Sequence, residues 1–152
     1  MCGIYGSITK QSSKDVVSNG HLALAEIKPR GPDADGACNF EVSNFNVSLI
    51  HARLTILDLS DAGLQPMLDE ETKSRIIFNG EIYNFSDIKS ELIKNYNIRF
   101  NSTGDTEVLL KSLTTKGRDQ TLNFIDGMFA FAFYDAKNNE LSLARDRFGE
   151  KP

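Results

Sequence analysis

The sequence predicts an α+β sandwich of antiparallel strands, on three observations. Strand-like stretches come in consecutive pairs joined by short polar turns, one around Ser43-Asn44 and one over Asp135–Asn139. Two stretches with helical spacing follow one another between Asn84 and Gly117, inside the strand series. Met128–Tyr134 is almost continuously apolar, as suits a strand covered on both faces, and Glu140–Arg145 returns antiparallel to it. Hairpins mixed with a helix pair fit an α+β sandwich rather than a doubly wound parallel sheet.

Each element has its own warrant. Cys2 to Ile8 reads as a short strand, with Ile4 and Ile8 apolar and glycines between. A helix follows from about Ser13 to Ile27. Val16, Ala23, Leu24 and Ile27 fall near one face and Pro29 closes it, although Gly20 weakens its middle. Arg30–Gly36 is dense in residues that break regular structure and reads as a loop. Ala37–Val42 and Asn46–Ile56 form the first hairpin. In its second strand Val47, Leu49, His51 and Arg53 share one face, and Ile50, Ala52, Leu54 and Ile56 the other. Asp58–Met67 is a loop, and Arg75–Phe78 a short apolar strand that runs into the turn-type sequence Asn79-Gly80-Glu81. Asn84 is placed to cap a helix whose stripe is Phe85, Ile88, Leu92 and Ile93. Thr103-Gly104-Asp105 opens the next helix, lined by Val108, Leu109 and Leu113 and ended by Gly117.

Composition narrows the function. A chain of 152 residues suits one domain with a sizeable core. Its net charge of −4, with no Lys/Arg cluster, argues against a nucleic-acid binder. No apolar run approaches the roughly 18 residues of a membrane span, and the N-terminus lacks a secretory pattern. Two cysteines, Cys2 and Cys38, make no disulfide framework, and two histidines at unrelated spacing make no zinc site. The expectation is a cytoplasmic, metal-free domain.

The chemistry concentrates at Met1-Cys2-Gly3-Ile4-Tyr5-Gly6. Loss of Met1 would leave Cys2 with a free α-amino group beside its own thiol. Their unperturbed pKa values, about 7.7–8.0 and about 8.5, make a candidate base and nucleophile on one residue. Asn79 with Gly80 offers a side-chain amide and an unencumbered backbone N–H, the pair of donors an oxyanion hole needs. By itself it reads as a turn or bulge. Arg53 could clamp a carboxylate through paired N–H bonds or form a surface ion pair. Glu81 and Asp105 could receive an ammonium, or be a solvated side chain and a helix cap. Arg30 and Asp33 could staple a loop. His51 reads as a hydrogen-bonded strand histidine rather than a base, and Cys38 as a small buried hydrophobe.

Taken together the segments resemble the glutamine amidotransferase domain of the asparagine synthetase family, a class II, N-terminal-nucleophile amidotransferase. The resemblance runs through Met1-Cys2-Gly3-Ile4, Arg30-Gly31-Pro32-Asp33 with Gly36, and His51-Ala52-Arg53-Leu54. It continues through Asp58-Leu59-Ser60, Gln65-Pro66-Met67, Phe78-Asn79-Gly80-Glu81-Ile82-Tyr83-Asn84 and Gly104-Asp105-Thr106-Glu107. Gly127–Phe131 and Leu143–Gly149 complete it across the whole chain. It implies a four-layer αββα sandwich, two antiparallel sheets face to face with helices outside. It implies Cys2 as the nucleophile toward the side-chain amide of L-glutamine, its α-amino group as proton shuttle, and Asn79 and Gly80 as oxyanion donors. Arg53 would bind the α-carboxylate, Glu81 and Asp105 the α-ammonium, and backbone at Leu54 and Ile56 would line the pocket.

Relatives of that kind continue into a nucleotide-binding synthetase domain that uses the ammonia. The expectation is therefore that residues 1–152 are a glutaminase half whose C-terminal synthetase domain is absent. No cofactor is expected in this domain, with ATP and Mg²⁺ needed only by the missing one. Partners expected are glutamine and that synthetase domain, with no nucleic acid and no membrane, and with room for a homodimer. Two rival readings are a non-catalytic scaffold of the same fold, binding glutamine or serving as an interaction surface, and a plain β-sandwich ligand-binding module.

Overall fold

The computed structural model describes residues 2–10, 13–56 and 58–152. Two antiparallel sheets form the centre. The first contains β1 (Gly3–Thr9), β2 (Ala34–Val42) and β3 (Phe45–Arg53) in the order β1-β3-β2. The second contains β4 (Met67–Leu68), β5 (Arg75–Ile82), β6 (Gly127–Asp135) and β7 (Glu140–Arg145) in that order. Helix α1 (Ser13–Ile27) packs on the first sheet; α2 (Phe85–Tyr96), α3 (Asp105–Lys116) and the short α4 (Arg118–Phe124) cover the second. This is the αββα sandwich that the resemblance implied.

Alternation along the strands explains the layers. In β3, Val47 and Leu49 point between the sheets and meet Ile77 of β5 and Ala132 of β6. Ile50 points the other way, onto α1. Gly20 is what lets α1 come close, since a Cβ there would lie 3.0 Å from Ile50 Cδ1. In β5 the opposite set, Ile76, Phe78 and Ile82, packs with Ile88 and Leu92 of α2 and with Val108, Leu109 and Leu113 of α3. Burying a large aliphatic or aromatic side chain contributes about 1.5–3 kcal/mol, so these two clusters supply the main drive for stacking the layers.

Several boundaries differ from the sequence reading. Asn79-Gly80-Glu81 is not a turn: β5 runs unbroken to Ile82, pairing Asn79 with Ala130 and Gly80 with Phe129. The glycine is there for close approach, because a Cβ on it would strike the Met128 carbonyl and come within 2.7 Å of Phe129 Cα. β2 begins at Ala34 inside the supposed loop, held by pairing with Arg53, and β3 ends at Arg53 rather than Ile56. Ile93 is exposed on α2 instead of joining its stripe. Asn84 sits at the N-cap position, but its side chain bonds the Phe124 carbonyl and the Asp126 N–H instead of its own helix. Gly117 does end α3 and also begins α4, which the sequence reading missed.

Candidate active site

The first sheet brings the chain start beside the end of β3. Gly3 pairs with Ala52 and Ile4 with His51, so Cys2 reaches the level of Arg53 and Leu54. The Leu54 N–H donates to Cys2 Sγ at 3.4 Å, and Sγ in turn lies 3.6 Å from the Leu54 carbonyl. The Arg30 Nε–H donates to the Cys2 carbonyl at 3.3 Å. Asp33 accepts from the Thr55 N–H at 2.7 Å and donates its own N–H to the Arg53 carbonyl. Arg30 and Asp33 are loop staples, as one reading of the sequence had it, and what they staple is the backbone around the cysteine. Met1 lies outside the described residues.

A cavity of about 140 Å³ opens there between the sheets. Cys2, Arg53, Leu54, Ile56, Asn79, Gly80, Glu81 and Asp105, every residue assigned a role from the sequence, line it. Such a volume suits one small organic molecule. Leu54 contributes backbone, but chiefly to the thiol, and Ile56 is largely solvent-exposed at the rim. Cys38 is on another part of β3's neighbour strand, half-buried beside Leu49, where burial raises its thiol pKa against the pull of Arg75.

Arg53 is buried and already oriented. One Nη donates to the Ser60 carbonyl at 2.9 Å and the other to the Asp58 carbonyl. A guanidinium carries five N–H donors, so it keeps capacity for a ligand while its plane is held. The loop that holds it is organised by Asp58. Its Oδ1 accepts from the Ser60 N–H at 2.8 Å and the Ser60 hydroxyl at 2.6 Å. Its Oδ2 accepts from the Thr103 N–H at 2.7 Å and the Thr103 hydroxyl. These bonds, led by the Ser60 hydroxyl, hold the Asp58 carboxyl far below the usual carboxylate range. Asp58 thus ties the Arg53 loop to the loop that precedes α3.

At the start of α3, Asp105 is buried and accepts from the Ile82 N–H at 2.9 Å. Gly104, not Asp105, occupies the N-cap position. Burial raises the Asp105 pKa, the Ile82 N–H and its own helix N–H groups oppose this, and nearby Glu81 adds to the rise. A cation arriving beside the two carboxylates would relieve that strain on the charged form. Gln65 cross-links the second sheet to α3. Its Oε1 accepts from the Phe78 N–H at 2.6 Å and its Nε2 donates to the Thr106 hydroxyl.

His51 is 1 % exposed and faces this cavity, yet neither ring nitrogen has a hydrogen-bond partner. The sequence expectation of a hydrogen-bonded strand histidine is therefore corrected. Burial, reinforced by the Arg53 guanidinium, lowers its pKa from 6.5 to about 4, with the Phe78 carbonyl pulling the other way. It is a neutral imidazole near pH 7.

Sequence reasoning missed the parts played by Asp58 and Gln65. Asp58-Leu59-Ser60 carries a readable signal, an aspartate placed to accept from the N–H two residues on. Nothing local marks Gln65, whose partners lie 13 and 41 residues away. Among the described residues no three His, Cys, Asp or Glu side chains are grouped to hold a metal ion. Among them, too, no helix is long and apolar enough to cross a membrane.

Comparison with known proteins adds four findings. Residues 1–152 match the family model for the glutamine amidotransferase domain. The chain is 35 % identical over 158 residues to the glutamine-hydrolyzing asparagine synthetase 2 of Bacillus subtilis strain 168, covering all of this chain and 20 % of that protein. It is 33 % identical over 153 residues to the glutamine-hydrolyzing asparagine synthetase B of Escherichia coli strain K12, again along its whole length, and 26 % of that protein. The chain thus spans about a quarter of these curated relatives. Among solved structures, the glutamine phosphoribosylpyrophosphate amidotransferase of B. subtilis superposes with a TM-score of 0.70 at 16 % identity, over 94 % of this chain and 37 % of that one. At that identity the likeness concerns the fold alone.

Proposed function

The chain belongs to the glutamine amidotransferase domain family, and on that premise we propose that it hydrolyses L-glutamine to glutamate and ammonia through a thioester on Cys2. The observation that carries this reading is the convergence of opposite charges and a terminal thiol in one cavity. Arg53 stands at one part of it, Glu81 and Asp105 near by, and Cys2 with Asn79 and Gly80 at the reacting end.

The α-carboxylate of glutamine takes the N–H groups that Arg53 has not given to the Asp58 and Ser60 carbonyls. Its α-ammonium meets Glu81 and Asp105, and its arrival stabilises the ionised form of the buried Asp105. With Met1 removed, the Cys2 α-amino group takes the thiol proton as Sγ attacks the side-chain carbonyl carbon. The oxyanion that forms is held by the Asn79 amide and the Gly80 N–H, both carried on a strand whose backbone is supported by its pairing with β6. The proton passes from the α-amino group to the amide nitrogen, the C–N bond breaks and ammonia leaves. Water then cleaves the thioester, releasing glutamate and restoring the thiol.

The relatives named above are, by their names, glutamine-hydrolyzing asparagine synthetases. The ammonia made here serves, in this reading, an ATP- and Mg²⁺-dependent synthetase domain of the kind those longer proteins carry, and the present residues supply only the glutaminase step. The test is glutamate release from glutamine by the chain and by Cys2→Ala. Turnover by the parent and none by the variant is expected. Glutamine binding without any glutamate release by the parent would instead make this a non-catalytic scaffold.

A further inference from the structure

Among the described residues, two polar side chains that line the cavity, His51 and Ser102, have buried atoms without a hydrogen-bond partner, and His51 brings two of them. His51 is 1 % exposed, lines the cavity and has both ring nitrogens without partners. Buried polar groups are nearly always paired, by protein, water or ligand. Of the other polar side chains lining the cavity, Ser102 also has an unpartnered hydroxyl, whereas Asp58 and Gln65 are engaged. Both oxygens of Asp58 are taken, and both ends of Gln65 are bonded.

Its depth in the sandwich indicates what would meet it. Leu49 and Ile77 share one cluster between the sheets. Two residues further along β3 and β5 stand His51 and Asn79, and two further still Arg53 and Glu81. All four of these line the cavity. His51 therefore lies one strand repeat nearer the core than Arg53, as Asn79 does relative to Glu81. On β1, Ile4 is its direct partner, so Cys2 is its diagonal neighbour on the same face.

A primary amide has two ends to satisfy. Its oxygen goes to Asn79 and Gly80, while its nitrogen presents two N–H donors that require an acceptor. Burial and the Arg53 charge keep the His51 ring neutral, so one nitrogen carries a proton and the other a bare lone pair. The Phe78 carbonyl lies close enough to the ring to act on it and offers the N–H side an acceptor, which leaves the other nitrogen's lone pair unused.

We propose that the unprotonated ring nitrogen of His51 accepts a hydrogen bond from the side-chain amide N–H of glutamine and holds that nitrogen as it departs as ammonia. This rests on the glutaminase reading of the site. The Sγ–C bond forms, the C–N bond breaks and the thiol proton reaches the leaving nitrogen through the Cys2 α-amino group. His51 itself neither gains nor loses a proton. The contact selects a primary amide over an ester or acid of the same shape, because neither an ester nor a carboxylate offers an N–H to the lone pair.

The experiment compares glutamine with glutamate γ-methyl ester, whose leaving oxygen has no hydrogen to donate. kcat/KM for both is measured with the parent chain, His51→Phe and His51→Gln. The Phe variant keeps a planar ring without an acceptor, and its amide-to-ester ratio of kcat/KM is expected to fall about tenfold or more. The Gln variant, which retains an acceptor oxygen, is expected to recover much of that ratio. A ratio unchanged in both variants overturns the proposal, since a purely structural role would lower both substrates together. If the Phe variant does not fold, His51→Leu, which also lacks an acceptor, decides: a selective loss on the amide supports the acceptor role, and equal loss on both substrates overturns it. Failure of the parent to cleave glutamine at all would sink the glutaminase reading instead.

Discussion

Asp58→Asn separates the contribution of Arg53 itself from that of the loop that aims it. The wild-type carboxylate accepts two bonds from Ser60 and two from Thr103. An asparagine keeps one acceptor oxygen and turns an NH₂ group toward the other pair of donors. One loop then loses its charge-assisted bonds and faces donor against donor. Charge-assisted hydrogen bonds are worth about 1.5–3 kcal/mol, and a stranded buried donor costs about 1–3 kcal/mol, so a net loss of about 2–3 kcal/mol is expected. For a domain of this length that corresponds to a fall in Tm of roughly 4–12 °C. The Asp58 and Ser60 carbonyls that orient Arg53 ride on the same loop, so KM for glutamine should rise about tenfold. Because Cys2, Asn79 and Gly80 are anchored on β1 and β5, kcat should change by no more than about threefold. The carboxyl's folded pKa is depressed, so the wild-type advantage is complete above the unfolded value near 3.8 and shrinks as pH falls through the folded value. Thermal melts at pH 7 and pH 3 with steady-state glutaminase assays read all of this. Wild-type Tm and KM in the Asn variant would refute the claim that Asp58 holds the loop.

Other expectations follow from the same geometry. Asn79→Ala should lower kcat by about 10²–10³ with little change in KM, because its amide serves charge that develops only in the intermediate. Arg53→Ala should raise KM strongly instead, and identical kinetic signatures from the two variants would contradict this orientation of the pocket. His51 has its pKa lowered from 6.5 to about 4, so the unfolded state binds the extra proton between those values and stability falls as pH drops through them. The loss is about 3 kcal/mol in full, and His51→Phe should flatten that part of the pH–stability curve; parallel curves would contradict it. Gly80→Ala drives a methyl into the Met128 carbonyl and the Phe129 backbone, and should cost about 3 kcal/mol together with most activity, read by urea melts and glutamate release.

Much of this protein was legible before any coordinates, for physical reasons that differ from element to element. The apolar run of Met128–Tyr134 reports a strand covered on both faces, and the structure buries it so; alternation in Val47–Arg53 sorted its residues into two faces, both of which the fold buries. Helical spacing in 85–92 and 108–113 picked out core residues of α2 and α3. The short α4 was missed because seven residues hold too few turns to show a period. Asn79-Gly80 misled because turn chemistry is a local preference, and β6 pairing on its whole length overrode it. By itself the sequence determined the layered class, the buried faces and the residue types capable of the chemistry, since these depend on composition and spacing along the chain. Only the tertiary structure decided that Gln65 would bridge Phe78 and Thr106, that Asp58 would join two loops 45 residues apart, and that His51 would lie buried with neither ring nitrogen in a hydrogen bond. Those features depend on which strands and loops end up side by side, and hydrogen bonds across such distances leave no periodic trace in the chain.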